Sequence, residues 1–179
     1  MTFWDAAFAL PAVPLCCLAV ALLLAFGFEF VNGFHDTANA VTTVIYTRTL
    51  RPTTAVLFSG VMNFLGAAMT VVVGSAAVAF SIVNLLPVDL LVEANSHTAL
   101  VTVLSLLLAG LVWNLATWYV GLPVSSSHTL IGAILGVGVA SGLWNGKGFG
   151  GVNWAKAGDV GLGLLCSPLF GFVAAAVLL

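Results

Sequence analysis

The chain has 179 residues, of which 61% are hydrophobic and 6% are charged, and its formal net charge is -2. Soluble domains carry about 25% charged residues, so this chain has too few polar side chains to cover a folded surface in water. The composition predicts an all-α, multi-pass integral membrane protein without cofactor or metal site, and the four scattered basic residues exclude a nucleic-acid-binding surface.

The N-terminal quarter predicts one spanning helix followed by a shorter piece. Residues 11–31 are apolar and long enough to cross the lipid, whereas residues 35–47 are too short to cross alone. The polar pair Asn32-Gly33 between them is expected to break the helix. The segment TRTLRP (residues 47–52) then brings two arginines and a helix-stopping proline, which predict a turn on the cytoplasmic side.

The rest of the chain predicts three further spans, at residues 53–84, 98–121 and 158–179. Residues 121–142 open with a proline and three serines and then run apolar for too few residues to make a comfortable span. The prediction is therefore about four spanning helices plus short broken or re-entrant half-helices. They form a single transmembrane domain over residues 1–179.

A first polar cluster follows the expected break and comprises His35, Asp36, Thr37 and Asn39. Asp36 and Asn39 are three residues apart and share a helix face, and His35 and Asn39 are four apart. An ionisable side chain inside a membrane segment is a functional hypothesis by default. The alternative interpretation is a buried hydrogen-bonded cluster that joins helices.

The second polar cluster is PVSSSHT, from Pro123 to Thr129. Pro123 suits the approach to a helix, and one of the three following serines would cap it, so that the first free N-H groups point outward. The N-terminus of a short helix in the membrane is an anion site. The alternative is an ordinary N-cap at a re-entrant bend.

Taken together, the clusters predict the anion site of a secondary transporter, because such sites lie at helix breaks near the bilayer midplane. The membrane segments contain no Lys or Arg in their middle. Hydroxyls, amides and backbone N-H groups would therefore hold the anion, and a cation would travel with it. The Asp36 carboxylate would repel sulfate but accept a hydrogen bond from P-OH, so the chemistry fits phosphate.

The two clusters also resemble the signatures of a known family. GFHDTANA (residues 33–40) fits the form G-x-N/H-D-x-A-N-A, and PVSSSHT fits P-x-S-[ST]-[ST]-H-[AT], in the same order along the chain. Both are similar to motifs of the inorganic phosphate transporter family, Pit, and the stretches NFLGA and WNLATWYVGLP resemble its bacterial low-affinity branch. The resemblance covers residues 25–143 closely and the rest loosely.

The resemblance implies a carrier in the bacterial inner (plasma) membrane, built from two inverted repeats that each hold both motifs. Each motif occurs once here and the chain ends in an apolar run, so we expect the N-terminal half of a carrier. Its site would be completed by a missing second repeat or by a second copy of the chain. The residues implied to bind phosphate are Asp36, Asn39, Ser125, Ser126, Ser127, His128 and Thr129.

Coupling by protons is favoured over coupling by sodium. Sodium-coupled members of the family carry GTS after the first motif, whereas the aligned residues here end in Val44, which offers no side-chain oxygen. The candidate coupling residues are Glu29, His35, Asp36 and Thr43, and Glu29 could pair with His35, join a proton path or face a watery cavity. Part of the phosphate would travel as neutral metal-phosphate.

Two other functions remain open at this point. A passive anion channel would conduct without saturation and without dependence on a proton gradient. An intramembrane serine hydrolase would need Ser125 and His128 to act together with Asp36, but three serines in a row look like hydrogen-bond donors, and no GxSxG context is present. The sequence therefore predicts a transporter and not an enzyme.

Overall fold

The computed structural model describes residues 11–73, 84–85 and 96–178. All five α-helices in this part of the chain are long and apolar enough to cross a membrane. The predicted all-α polytopic membrane fold is therefore confirmed. The helices are α1 (Ala12–Tyr46), α2 (Pro52–Val73), α3 (Ser96–Val120), α4 (Ser126–Trp144) and α5 (Trp154–Leu178), with a 3-10 helix at Gly148–Gly151 before α5.

Helix α1 is one continuous helix of 35 residues. The predicted break at Asn32-Gly33 is wrong, and so is the separate short piece at residues 35–47. A glycine inside a helix costs only about 1 kcal/mol relative to alanine, whereas each backbone group left unpaired in lipid costs several kcal/mol. At about 1.5 Å per residue α1 is about 52 Å long and extends beyond the ~30 Å hydrocarbon core.

The turn between α1 and α2 lies where it was predicted. The hydroxyl of Thr47 donates to the carbonyl of Thr43 at 2.9 Å and closes the end of α1. Arg48 adopts a left-handed backbone conformation with φ of 57°, which turns the chain out of the helix. Pro52 is the first residue of α2, a position where its missing N-H has no cost.

Helix α4 is 19 residues long, about 28 Å at ~1.5 Å per residue. The expectation that this segment is too short to span is wrong, because it matches the hydrocarbon core closely. The span predicted at residues 53–84 is described as a helix to Val73. Its remainder, residues 74–83, lies outside the described residues.

Helices α1, α3 and α4 form the centre of the fold. Gly110 of α3 leaves room for the Phe28 ring of α1 and the Thr129 methyl group of α4, since a Cβ at Gly110 would lie 3.0 Å and 3.9 Å from them. Farther along both helices, the ring of Phe34 meets that of Trp118 at 5.6 Å. Helices α1 and α3 therefore run parallel, while the short 121–125 connection makes α4 antiparallel to α3.

The other two helices are peripheral. Helix α2 buries only Ala55, and α5 has no buried residue in the described structure. One side of α5, which includes Val160 and Leu164, is partly buried and packs against a hydrophobic cluster that contains Leu106 and Ile134. The broad apolar surfaces left on both helices suit a lipid environment.

A close backbone contact joins α4 to the 3-10 helix and gives a first prediction. A Cβ at Gly138 would lie 2.5 Å from the carbonyl oxygen of Gly151 and 2.7 Å from a methyl carbon of Val152. We expect Gly138→Ala to destabilise the fold by about 1–3 kcal/mol through overpacking. Thermal unfolding in detergent would show this as a lower Tm.

The matched control is Gly136→Ala, one half-turn earlier on α4. A Cβ at Gly136 meets no atom within 4 Å in the described structure. Alanine is the better helix former by about 1 kcal/mol, so the Tm of this variant should be equal to or above that of the native chain. Equal Tm values for the two variants would contradict the close contact at Gly138.

Candidate functional site

The two polar clusters meet at the start of α4. The side-chain amide of Asn39 on α1 donates a hydrogen bond of 3.3 Å to the carbonyl oxygen of Val124. These residues are 85 positions apart in sequence. The first cluster therefore holds the backbone of the second just before α4 begins.

Ser125 is the N-cap of α4. The sequence predicted that one of the three serines would cap this helix, and the structure identifies which one. Ser125 has an extended backbone, and its hydroxyl accepts from the N-H of His128 at 3.4 Å. Its carbonyl accepts from both the N-H of Thr129 at 3.0 Å and the Thr129 hydroxyl at 3.2 Å. The Thr129 hydroxyl is thus engaged within the first turn and largely buried.

The remaining residues of this turn point in different directions. Ser126, the first residue of α4, is 3% exposed, whereas Ser127 and His128 are exposed. His128 and Thr129 line a cavity of about 420 Å³ together with Trp113 of α3. The exposed groups at the start of α4 are therefore Ser127 and His128, while Ser126 faces the packed interior.

Because α1 is unbroken, its polar residues form one stripe along the helix. Successive members are separated by three or four residues, which places them on one face. All are exposed except Asn32, which is half-buried. The sequence already contained this spacing, but the expected break at Asn32-Gly33 concealed it. The polar stripe comprises Glu29, Asn32, Asp36, Asn39 and Thr43.

Glu29 and His35 have different surroundings in and beside the stripe. The side-chain amide of Asn32 donates to the carboxylate of Glu29 at 3.1 Å. Of the interpretations considered for Glu29, pairing with His35 is thus not the one found. His35 lies beside the stripe and is 6% exposed, and its Nδ1 atom has no hydrogen-bonding partner among the described residues.

A second cavity, of about 500 Å³, lies between α1 and the end of α3. His35 and Asn39 line it on one side, and Trp118 and Pro123 line it on the other. Both cavities fall within the ~300–1,000 Å³ range of small-molecule sites. The Asn39–Val124 hydrogen bond joins the two cavities, because Val124 lines the first and Asn39 lines the second. Side-chain amide and imidazole groups are therefore available to a small polar ligand.

The charges around the site are negative. Within the described helices α1, α3 and α4 there is no Lys or Arg, while α1 carries exposed Glu29 and Asp36. Lys156 lies at the start of α5 and pairs with Asp159 at 3.7 Å. Positive potential at the site must therefore come from the N-terminus of α4 or from a bound cation.

The fold and this site define a polytopic helical membrane protein with a polar site assembled between its helices. Residues 32–179 match the model of the phosphate transporter family. The chain belongs to that family, and the predicted resemblance to it is confirmed. The family consists of transporters, so the prediction that the chain is not an enzyme is also confirmed, and the serine hydrolase alternative is set aside.

Several curated relatives are low-affinity inorganic phosphate transporters. The chain is 48% identical to PitA and 45% identical to PitB of Escherichia coli K12, over 90% of this chain and 32% of each relative. It is 47% identical to the transporter of Buchnera aphidicola subsp. Acyrthosiphon pisum, over 89% of this chain and 32% of that protein. The chain thus spans about a third of the length of these relatives. No solved structure matches it.

Proposed function

We propose that this chain carries one repeat of a secondary transporter that moves inorganic phosphate across the bacterial plasma membrane. The observation that carries the proposal is the Asn39–Val124 hydrogen bond, which joins the two polar clusters into one site. The names of the relatives support phosphate as the substrate, since they are low-affinity inorganic phosphate transporters.

In this proposal the start of α4 is the anion cradle. The exposed Ser127 and His128 side chains and the free N-H groups of the first turn donate to phosphate oxygens, while Ser125 and Thr129 hold the turn in shape. Asn39 donates from α1. Asp36 accepts a hydrogen bond from P-OH, which favours an anion that retains a proton.

The charge of the site supports coupling to a cation, which we take to be a proton. The negative stripe, which carries Glu29 and Asp36, can bind a proton while phosphate binds at the start of α4. It can also bind the metal ion when phosphate arrives as a metal-phosphate complex. Thr43 extends the same face, and the buried His35 is the imidazole nearest to Asp36 in sequence. Sodium is disfavoured by the resemblance to the family, whose sodium-coupled members carry GTS where the aligned residues of this chain end in Val44, a residue without a side-chain oxygen.

The first test is uptake of radiolabelled phosphate into proteoliposomes that contain this chain, with and without an inward proton gradient. Saturable, gradient-driven uptake would mean that two copies assemble into a working carrier. If the chain alone is inactive, it is reconstituted with the remaining two thirds of PitA as a separate polypeptide. Absence of saturable uptake in both preparations would overturn the proposal, and non-saturable flux would indicate a channel.

A second prediction concerns the coupling ion. Replacing all sodium by choline in the same assay should leave the initial rate of uptake unchanged, whereas collapsing the proton gradient with a protonophore should reduce it to the rate of passive exchange. The reason is that protons, rather than sodium, bind at the carboxylates of the stripe. Loss of uptake in choline, with the proton gradient intact, would assign the coupling to sodium.

A further inference from the structure

Three side chains of α1, α3 and α4 bury polar atoms that have no hydrogen-bonding partner in the described part of the chain. Of the five such atoms in the described residues, four belong to this set: Oδ1 and Nδ2 of one asparagine, Oδ1 of another and a serine hydroxyl. Leaving a buried polar atom unpaired is strongly unfavourable, and native proteins pair nearly all of them. We call this set the polar node, and its members are Asn32, Asn114 and Ser126.

The members of the polar node lie at one level of the helix bundle. The three helices touch where the Phe28 ring and the Thr129 methyl group meet Gly110. The α1 member lies four residues after Phe28, and the α3 member lies four residues after Gly110 on a parallel helix. The α4 member lies three residues before Thr129 on the antiparallel helix. Residues three or four apart are one turn apart on the same face, so all three lie one turn beyond this contact.

Burial is deepest at the α3 and α4 members of the node. Asn114 is 0% exposed and Ser126 is 3% exposed. Other buried hydroxyls of α3 satisfy themselves within their own helix: Thr102 donates to the carbonyl of Thr98 at 2.9 Å, and Thr117 donates to that of Trp113 at 2.9 Å. Among the described residues the Asn114 amide has no such local bond, so its hydrogen-bonding groups are free for a water or for a side chain of a neighbouring helix.

The hydrogen-bonding groups of the node complement one another. The Asn32 amide nitrogen already donates to Glu29 at 3.1 Å, which leaves Asn32 Oδ1 as an acceptor. Asn114 offers two donors and one acceptor, and Ser126 offers one of each. A buried water with about three partners can close such a gap. A metal ion fits less well, because the Asn114 NH2 group must find an acceptor.

We propose that Asn114 is a positioning residue for the anion cradle, acting through Ser126 and the polar node. Ser126 is the first residue of α4, and Asn39 holds Val124 two residues earlier. The first turn of α4 is thus held by α1 from one side and by α3 from the other. The node thereby sets the direction of the N-H groups and of Ser127 toward phosphate. This inference rests on the proposed phosphate site.

The test is a double-mutant cycle with Asn114→Leu, Ser126→Ala and both together. Binding of radiolabelled phosphate to the full chain in proteoliposomes is measured alongside amide hydrogen exchange of residues 126–130. Each single change should raise the Kd by roughly three- to tenfold, which lies within the range of coupling found for residues that share one hydrogen-bonded network. The double change should raise it no further, and exchange should accelerate in all three variants.

The control is Thr102→Val, a buried hydroxyl of the same helix that bonds only to its own backbone. It should leave both the Kd and the exchange of residues 126–130 unchanged. Asn114→Ser, which keeps one donor and one acceptor, should give intermediate values, and it replaces the leucine variant if that protein does not fold.

Two results would overturn the inference. One is an unchanged Kd and unchanged exchange in the folded Asn114 variants, and the other is multiplication of the two single effects in the double variant. If the native chain binds no phosphate, either alone or together with the remaining two thirds of PitA, the proposed function fails, but the exchange measurement still decides the node. Faster exchange at the start of α4 in the Asn114 variants would then support it, and native exchange would reject it.

Discussion

Replacing Asp36 by Asn should abolish phosphate uptake without removing the protein from the membrane. Asp36 is exposed on the polar stripe of α1, three residues before the asparagine that contacts the start of α4. The amide keeps the size of the side chain but removes the charge that a coupling proton needs. Loss of a hydrogen bond to a charged group costs about 1.5–3 kcal/mol, which alone would lower uptake roughly 10- to 150-fold in the liposome assay, and loss of the coupling proton should remove the remainder.

The matched control for this change is Asp159→Asn near the start of α5. Asp159 is an exposed carboxylate that pairs with Lys156 at 3.7 Å, and such surface pairs contribute about 0–1 kcal/mol. The Asp159→Asn protein should therefore transport phosphate at the native rate. Equal membrane amounts of both variants, measured by immunoblot, are required for the comparison. Native uptake by the Asp36→Asn protein would reject a role for this carboxylate.

The features that could be predicted from the sequence, the turn between α1 and α2 and the N-cap of α4, depend on short-range steric and hydrogen-bonding preferences. Pro52 can occupy the first turn of a helix but not its interior, so the end of α1 and the start of α2 were predictable within a few residues. A serine before a helix offers its hydroxyl to the free N-H groups whatever the tertiary context. Ser125 performs this role, although the sequence alone left three serines as alternatives.

Helix α1 continues through Asn32-Gly33, where a break was predicted, because local helix preferences are weak beside the requirements of the lipid. Each of these residues lowers helix propensity by about 1 kcal/mol or less, and the lipid environment strongly penalises broken backbone hydrogen bonds. The continuous helix changes the interpretation of the site, because it aligns Glu29, Asp36 and Thr43 on one face. A break would have separated Glu29 from the other two.

The arrangement of the site could not be predicted, because it depends on how the helices pack. Asn39 and Val124 are 85 residues apart, and no local pattern brings them together. Ser126 and Ser127 are identical neighbours, yet one is buried and the other exposed, since a helix turns about 100° per residue. Which of them faces the packed interior is decided by the register of the helices.

The exposure of the polar stripe also bears on the assembly. A charged side chain at the bilayer centre costs at least ~2.5–3.5 kcal/mol in lipid, and both Glu29 and Asp36 are exposed in the described structure. The stripe is therefore better suited to a water-filled cavity or to a second repeat than to lipid. This supports the proposal that the site is completed by a second repeat or a second copy of the chain.

Replacing Asn39 should impair phosphate binding more than transport capacity. The Asn39 amide donates to the carbonyl of Val124 at 3.3 Å and is proposed to donate to phosphate as well. Asn39→Ala removes the donor to phosphate, and at about 1.5–3 kcal/mol for a hydrogen bond to a charged group the KM for uptake should rise by roughly 10- to 150-fold. Asn39→Asp should be worse still, because it adds a second carboxylate three residues from Asp36.

The control for these variants is Asn63→Ala, which removes an exposed amide from the peripheral helix α2. Its KM should equal that of the native protein, because α2 contributes none of the residues proposed to bind phosphate. The order of KM values should therefore be native and Asn63→Ala, then Asn39→Ala, then Asn39→Asp. A lower KM for the aspartate variant than for the alanine variant would mean that this position binds the coupling cation and not the anion. Native KM values in both Asn39 variants would show that the contact between the two polar clusters does not serve phosphate binding.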